Sequence, residues 1–188
     1  MRLPIYLYGH PVLRAVATPV DTADPALPEL IDNMFDTMYA SDGVGLAAPQ
    51  IGKSIAMVVI DGQPLAERFP ECEGFKRVII NPELEILDGE ETARDEGCLS
   101  LPGLSEEVKR VEHIRLRYLN RDLKPCEEEI TGFAARIVQH ELDHLDGKVY
   151  TDRVNMMRRQ LIRNKLNNIA AGRTAPEYPY RTAPRRKK

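Results

Sequence analysis

The hexapeptide Gln139-His140-Glu141-Leu142-Asp143-His144 concentrates the chain's chemistry: two of its four histidines stand four positions apart, with a glutamate beside the first. On an α-helix, side chains at i and i+4 share a face about 5–6 Å apart. His140 and His144 can therefore direct two imidazole nitrogens at one cation while Glu141 stands next to it. Two imidazoles do not complete a catalytic site, because such a metal commonly takes three protein ligands and keeps one position open for water. The plain alternative is a chance spacing on a solvated helix, so the metal reading requires a third ligand elsewhere in the chain.

The three cysteines, Cys72, Cys98 and Cys126, are candidates. An odd number, widely spaced and without a CxxC pair, argues against a disulfide framework and for reduced thiols in a cytoplasm. Cys72 is flanked by Glu71 and Glu73, with no electropositive neighbour to activate it, and Cys126 stands among glutamates, so both read as inert. Cys98 lies in Glu96-Gly97-Cys98-Leu99-Ser100-Leu101-Pro102-Gly103, where Gly97 frees the backbone beside it. A thiolate from this stretch, joined to two imidazoles on a helix, gives a Cys-His-His set with an open fourth position. Taken by itself, the segment is more readily read as holding a small buried hydrophobe, as most free cysteines are.

A third stretch, Gly43-Val44-Gly45-Leu46-Ala47-Ala48-Pro49-Gln50-Ile51-Gly52, pairs glycines with small residues so that another backbone can approach closely. It lacks the lysine and hydroxyl of a phosphate-binding loop and the glycine spacing of a dinucleotide site. A peptide-binding edge fits it better. Gln50 could serve such an edge with its amide or simply hydrogen-bond within a turn. His10 has no partner in the local sequence and reads as a loop or surface histidine, and His113, which opens a strand, reads as structural.

Several elements must position these stretches. Leu27, Leu30, Ile31, Met34, Phe35 and Met38 recur on one helical face, and Asp24-Pro25 offers its start, so a core-facing helix runs to about Tyr39. Ile55 to Ile60 and Val78-Ile79-Ile80 are apolar runs of strand length, with a polar surface loop from Asp61 to Gly74 between them. Leu84-Glu85-Ile86 and Ile114 to Tyr118 alternate as half-buried strands do, and short links favour antiparallel pairing. A final helix is expected from about Asp152 to Gly172, with Val154, Met157, Leu161, Leu166 and Ile169 as its apolar stripe and Arg158, Arg159 and Arg163 on its wetter side. The expected fold is α+β: antiparallel sheets packed around a central metal-binding helix, with an N-terminal and a C-terminal helix.

With 188 residues and 43% hydrophobic content, one sizeable core and a single domain are expected. The amino terminus lacks the apolar run of a signal peptide, and no apolar stretch approaches the roughly 18 residues of a membrane span. A soluble, cytoplasmic protein is expected, with no membrane partner. Residues 1–152 carry 15 Lys+Arg against 28 Asp+Glu and residues 153–188 carry 11 against 1, so a −13 body bears a +10 tail. Such a tail either meets a polyanion such as nucleic acid or only keeps an acidic body in solution. With its prolines, the segment from Thr174 to Lys188 reads as mobile and without a core of its own.

Three motifs in order, Gly43-Val44-Gly45-Leu46-Ala47-Ala48-Pro49-Gln50, Glu96-Gly97-Cys98-Leu99-Ser100 and Gln139-His140-Glu141-Leu142-Asp143-His144-Leu145, resemble peptide deformylase. The resemblance extends over residues 1 to about 165, including Pro11-Val12-Leu13-Arg14 and Arg136-Ile137-Val138. It implies a single catalytic domain over residues 1–172, followed by the basic tail 173–188. The activity implied is removal of the formyl group from N-formylmethionyl nascent peptides, with one Fe2+ that Zn2+, Ni2+ or Co2+ can replace. Carried over by motif, Cys98, His140 and His144 are the ligands, Glu141 transfers the proton, and Gln50 with the Leu99 N–H stabilises the oxyanion. The Gly43 to Leu46 segment, with Gly45, takes the substrate backbone as an added strand opposite Gly97. Val44 and Ile137 are plausible walls of a methionine pocket, although for Ile137 ordinary core packing is an equal reading.

This sequence departs from the family at Ser105-Glu106-Glu107, where many members have an arginine, and in a longer loop from Asp61 to Gly74. Near ribosomal RNA, the basic tail would place such an enzyme where nascent chains emerge. A zinc peptidase would share the HExxH pattern but fits the cysteine and the glycine motif poorly. An idle peptide- or ribosome-binding module would not need Glu141.

Overall fold

A computed structural model describes residues 1–184. In chain order its elements are β1 (Ile5–Tyr6), α1 (Leu27–Ala40), β2 (Gly45–Ala47), β3 (Met57–Asp61), β4 (Lys76–Ile86), β5 (Glu91–Gly97), β6 (Ser105–Val111), β7 (His113–Leu119), β8 (Pro125–Thr131), α2 (Gly132–Leu145), α3 (Met156–Ala170) and β9 (Tyr180–Arg181). Strands β2-β3-β4-β7-β8 form one antiparallel sheet in that order, β5 pairs antiparallel with β6, and β9 lies parallel to β1. This is the α+β class expected.

The apolar run in β3 has a simple cause. Leu46, Met57 and Val59 pack with Ile31, Met34 and Met38 of α1, whereas Ala47, Val58 and Ile60 pack with Ala134, Ile137, Val138 and Leu142 of α2. A sheet covered on both faces needs apolar residues at every position. Farther out, β7 has one wet face, and its Arg115 and Arg117 pair with Glu85 and Glu127.

The helix expected near Asp24 begins at Leu27. Asp24 instead closes the preceding turn, its Oδ1 accepting from the Ala26 N–H at 2.8 Å. Val78-Ile79-Ile80 and Leu84-Glu85-Ile86 belong to one strand. Its register against β7 slips between Ile80 and Glu83, around Asn81 at φ 51 and the following Pro82. The Asn81 side chain accepts from the Val20 N–H at 2.7 Å there, tying the N-terminal coil to the sheet.

The last helix starts later than expected, at Met156, where the Asn155 side chain caps the Arg158 N–H at 2.9 Å. Its buried stripe is Ile162, Leu166 and Ile169, while Met157 and Leu161 are 79% and 73% exposed. Leu161 lies one residue, roughly 100° of helix rotation, away from that stripe. The tail also differs from expectation over its described part. Tyr178 and Tyr180 pack against a cluster that includes Ile5, Leu7 and Ile162. Two isolated tyrosines among prolines make no periodic pattern, so sequence alone does not signal this docking. Arg185 to Lys188, part of the basic tail, lie outside the described residues. No helix among the described residues is long and apolar enough to cross a membrane.

Candidate metal centre

Gly132, at φ +63, turns the chain from β8 directly into α2. Thr131 makes no side-chain cap; the carboxylate of Glu71 does so, accepting from the Phe133 N–H at 2.7 Å. An anion there meets both the free amide groups and the positive end of the helix dipole. The loop expected at the surface thus anchors the helix: Cys72 is fully buried, and Phe69 stacks on Phe133 with ring centroids 4.0 Å apart. Burial pushes the Cys72 thiol up to about 11, in keeping with an inert packing role. Every residue from Ala134 to Leu145 is buried. The alternative of a solvated helix is therefore excluded.

The rings of His140 and His144 lie 5.4 Å apart, centroid to centroid. Cys98 Sγ is 3.3 Å from His144 Nε2, and one ligand atom from each of Cys98, His140 and His144 lies within 4.8 Å of the other two. The three predicted ligands are brought together, and their thiol and imidazole donors suit a divalent transition metal. His140 Nδ1 sits 2.9 Å from a Glu96 carboxylate oxygen, which leaves Nε2 free to ligate. Burial would lower the His140 pKa, but its bonds to Cys98 and Glu96 outweigh that and raise it, so this corner favours positive charge. His144 is pushed down to about 3 by burial and by His140, which keeps its ring neutral. The fit to a bound cation is good.

Behind the histidines stands a buried ion network. Arg110 grips Glu96 through two bonds of 2.7 and 2.9 Å and reaches Asp143 at 2.9 Å. Arg136 bonds Glu96 and Glu112, each at 2.7 Å. Burial would raise the Glu96 carboxyl, but the bonds from Arg110 and His140 hold it well below the usual carboxylate range. Tyr150 stacks on His140, with centroids 5.8 Å apart. Sequence reasoning missed this network. Its one cue was Glu96, a charge directly before Gly97-Cys98 in a strand.

Glu141 is buried, and its Oε2 has no hydrogen-bond partner among the described residues. Burial pushes its carboxyl up to about 7. Its side chain lies against Gly45, where a Cβ would come within 2.7 Å of Glu141 Cγ. Gln50 makes the turn bond the sequence allowed, its Oε1 accepting from the Ala47 N–H at 2.8 Å, while Nε2 points at Cys98 Sγ (3.3 Å) and Ser100 Oγ (3.2 Å).

A cavity of about 590 Å³ opens over these groups. Gly43, Val44 and Gly45 line one side, Gly97, Cys98 and Leu99 another, and Ile137, His140 and Glu141 also border it. Among the described residues strand β2 pairs only with β3, which leaves its other edge open. The conformation at Gly97 does not demand glycine, since a Cβ there would meet nothing nearer than the Leu104 carbonyl at 3.8 Å; what glycine leaves is room in the cleft. Leu65, Phe133 and Tyr178 also line the cavity and were not anticipated. Glu106, in the stretch that departs from the family pattern, is buried and paired with Arg158 of α3. The acid there docks the last helix.

The profile of the family described as polypeptide deformylase matches residues 2–160. The chain belongs to that family. A peptide deformylase of Christiangramia forsetii is 43% identical over 188 residues, with 96% of each chain covered. One from Salinibacter ruber is 43% identical, covering 95% of this chain and 94% of that one. Among solved structures, the peptide deformylase of Thermotoga maritima superposes with a TM-score of 0.74 at 40% identity, covering 82% of this chain and 99% of its own. Peptide deformylase 1B of Arabidopsis thaliana, in complex with an inhibitor, gives 0.80 at 32% identity, covering 91% and 92%. The likeness first carried by three short motifs thus holds over nearly the whole deformylase chain.

Proposed function

We propose that Cys98, His140 and His144 hold one metal ion and that Glu141, Gln50 and the Leu99 N–H act beside it on N-formylmethionyl nascent peptides. As a member of the deformylase family, the chain is a metal-dependent hydrolase that removes the N-formyl group and releases formate. The observation that carries the residue assignment is the Cys-His-His cluster within 4.8 Å, with a buried, unpartnered carboxylate oxygen of Glu141 next to it in the chain. Fe2+ is the metal we assign, with Zn2+, Ni2+ or Co2+ able to take its place. When bound, it would acidify a coordinated water so that hydroxide is available near neutral pH.

Glu141 Oε2 would take a proton from the water whose oxygen attacks the formyl carbon and return it to the nitrogen as the C–N bond breaks, because that nitrogen cannot leave as an amide anion. Gln50 Nε2, held in place through Oε1, and the Leu99 N–H donate to the oxygen on which charge develops. One such donor contributes about 3 kcal/mol to lowering the barrier. The peptide backbone adds to the open edge of β2 at Val44 and Gly45, with Gly97 leaving room opposite. Val44 and Ile137 wall the methionine pocket. Glu141→Gln should keep its metal and lose formate release from a formyl-methionyl peptide. Release at the parent rate would contradict the role of Glu141.

The charge division between residues 1–152 and 153–188 favours a polyanionic partner, and the ribosome in the cytoplasm supplies both rRNA and substrate. Because β9 packs on β1, ending the chain after Pro184 removes four basic residues while leaving the packed strand in place. Cosedimentation with ribosomes should fall with salt and weaken in the shortened chain. Equal, salt-insensitive behaviour of both forms would count against it.

A further inference from the structure

We infer that Tyr178, in the C-terminal segment, is a positioning residue for the oxyanion donor at Leu99, an assignment that rests on the role proposed above for the Leu99 N–H. The loop between β5 and β6 carries Cys98 and Leu99, and it is held at several points along its length. Leu101 N–H bonds back to the Cys98 carbonyl at 2.9 Å, Tyr8 N–H donates to the Ser100 carbonyl at 2.8 Å, and the Tyr150 hydroxyl donates to the Leu104 carbonyl at 2.8 Å. The Leu99 carbonyl itself takes the Tyr178 hydroxyl, at 2.5 Å.

Tyr178 is placed for this by the two-stranded pairing of the chain ends. Ile5 N–H donates to the Pro179 carbonyl and Leu7 N–H to the Arg181 carbonyl, each at 2.8 Å. The residue just before that ladder is Tyr178, which packs with Cys98 and Leu99 on a cluster that includes Leu101 and Leu104. β1 and the residues after it therefore bind the tail and, through Tyr8, the cysteine loop. The tyrosine also lines the cavity above Cys98.

The consequence for Leu99 is geometric. Its amide belongs to the peptide shared with Cys98 and its carbonyl to the peptide shared with Ser100. The Cys98 carbonyl, in the same peptide as the Leu99 N–H, is held by the Leu101 N–H, and the Leu99 carbonyl is held by Tyr178, so both peptide planes that flank Leu99 are restrained. A donor must be preorganised toward the developing charge to lower the barrier. The C-terminal segment thereby becomes part of the catalytic centre without touching substrate.

Tyr178→Phe removes one hydroxyl and keeps the ring packing, so the fold, the metal content and KM for a formyl-methionyl tripeptide should be retained. The inference predicts that kcat falls roughly 10-fold, less than the about 100-fold of losing a donor outright. Amide hydrogen exchange at Leu99 should accelerate at the same time, while that in β3 stays unchanged. Tyr180→Phe, whose hydroxyl makes no bond to the loop, should match the parent. An unaltered kcat, or unaltered exchange at Leu99 in Tyr178→Phe, would overturn the inference. Equal losses in Tyr178→Phe and Tyr180→Phe would show general loosening of the tail and overturn it too. If the parent itself releases no formate, the proposed function fails; unchanged exchange at Leu99 would then still refute the clamp, and faster exchange would support it.

Discussion

Glu96 and His140 are joined by a 2.9 Å hydrogen bond between a carboxylate oxygen and Nδ1, and the same carboxylate is gripped by two buried arginines. The charge that orients the His140 ring is thus also the charge that makes Arg110 and Arg136 tolerable in the interior. Orientation of the ligand and stability of the fold rest on one side chain.

Glu96→Gln should therefore do two things at once. Leaving the buried arginines short of an anion should cost about 3–5 kcal/mol of stability. Loosening the support of His140 should weaken metal binding by about 10- to 100-fold. Chemical denaturation and metal competition measure them separately. A variant weakened in stability alone would mean that Glu96 does not govern the ring.

Gly45→Ala tests the contact between β2 and Glu141, the residue proposed to transfer the proton. The added methyl would lie 2.7 Å from Glu141 Cγ, and forcing atoms into such a packed place costs about 1–3 kcal/mol. Formate release should fall much further than stability implies, because Glu141 must move. Metal content should be retained. An active, fully stable alanine variant would show that Glu141 lies elsewhere.

Acid stability should depend on Glu128. Burial would raise its pKa, but bonds from Arg77 and Tyr118 outweigh it and hold the carboxyl below its ordinary 4.5. A depressed carboxylate contributes stability that is present above its unfolded pKa and lost as pH falls through the folded one. Glu128→Gln should thus be less stable near neutrality by about 1–2 kcal/mol and should lose less on going below pH 4.5. Parallel pH curves for the two proteins would contradict this.

What the sequence made legible was local or periodic. His140 and His144 announced themselves by spacing, α1 by its stripe, and β3 by its apolar run. Cys98 was weak alone and became strong only beside the other motifs. Missing were pairings between distant residues: Arg110 and Arg136 look like ordinary surface charges until folding sets them around Glu96. Glu71 caps α2 from 62 positions away. Met157 and Leu161 misled because an apolar helix residue reveals its face only through its neighbours. Tyr178 carried no pattern, yet it reaches the site because β9 lies beside β1.

The central claim is that Cys98, His140 and His144 hold one metal that the reaction requires. Metal analysis of anaerobically purified parent and Cys98→Ala, with formate release from a formyl-methionyl peptide assayed on the same samples, tests it most directly. The account predicts one metal per chain and formate release in the parent, and loss of both in Cys98→Ala. Full metal occupancy with undiminished formate release in Cys98→Ala would contradict it.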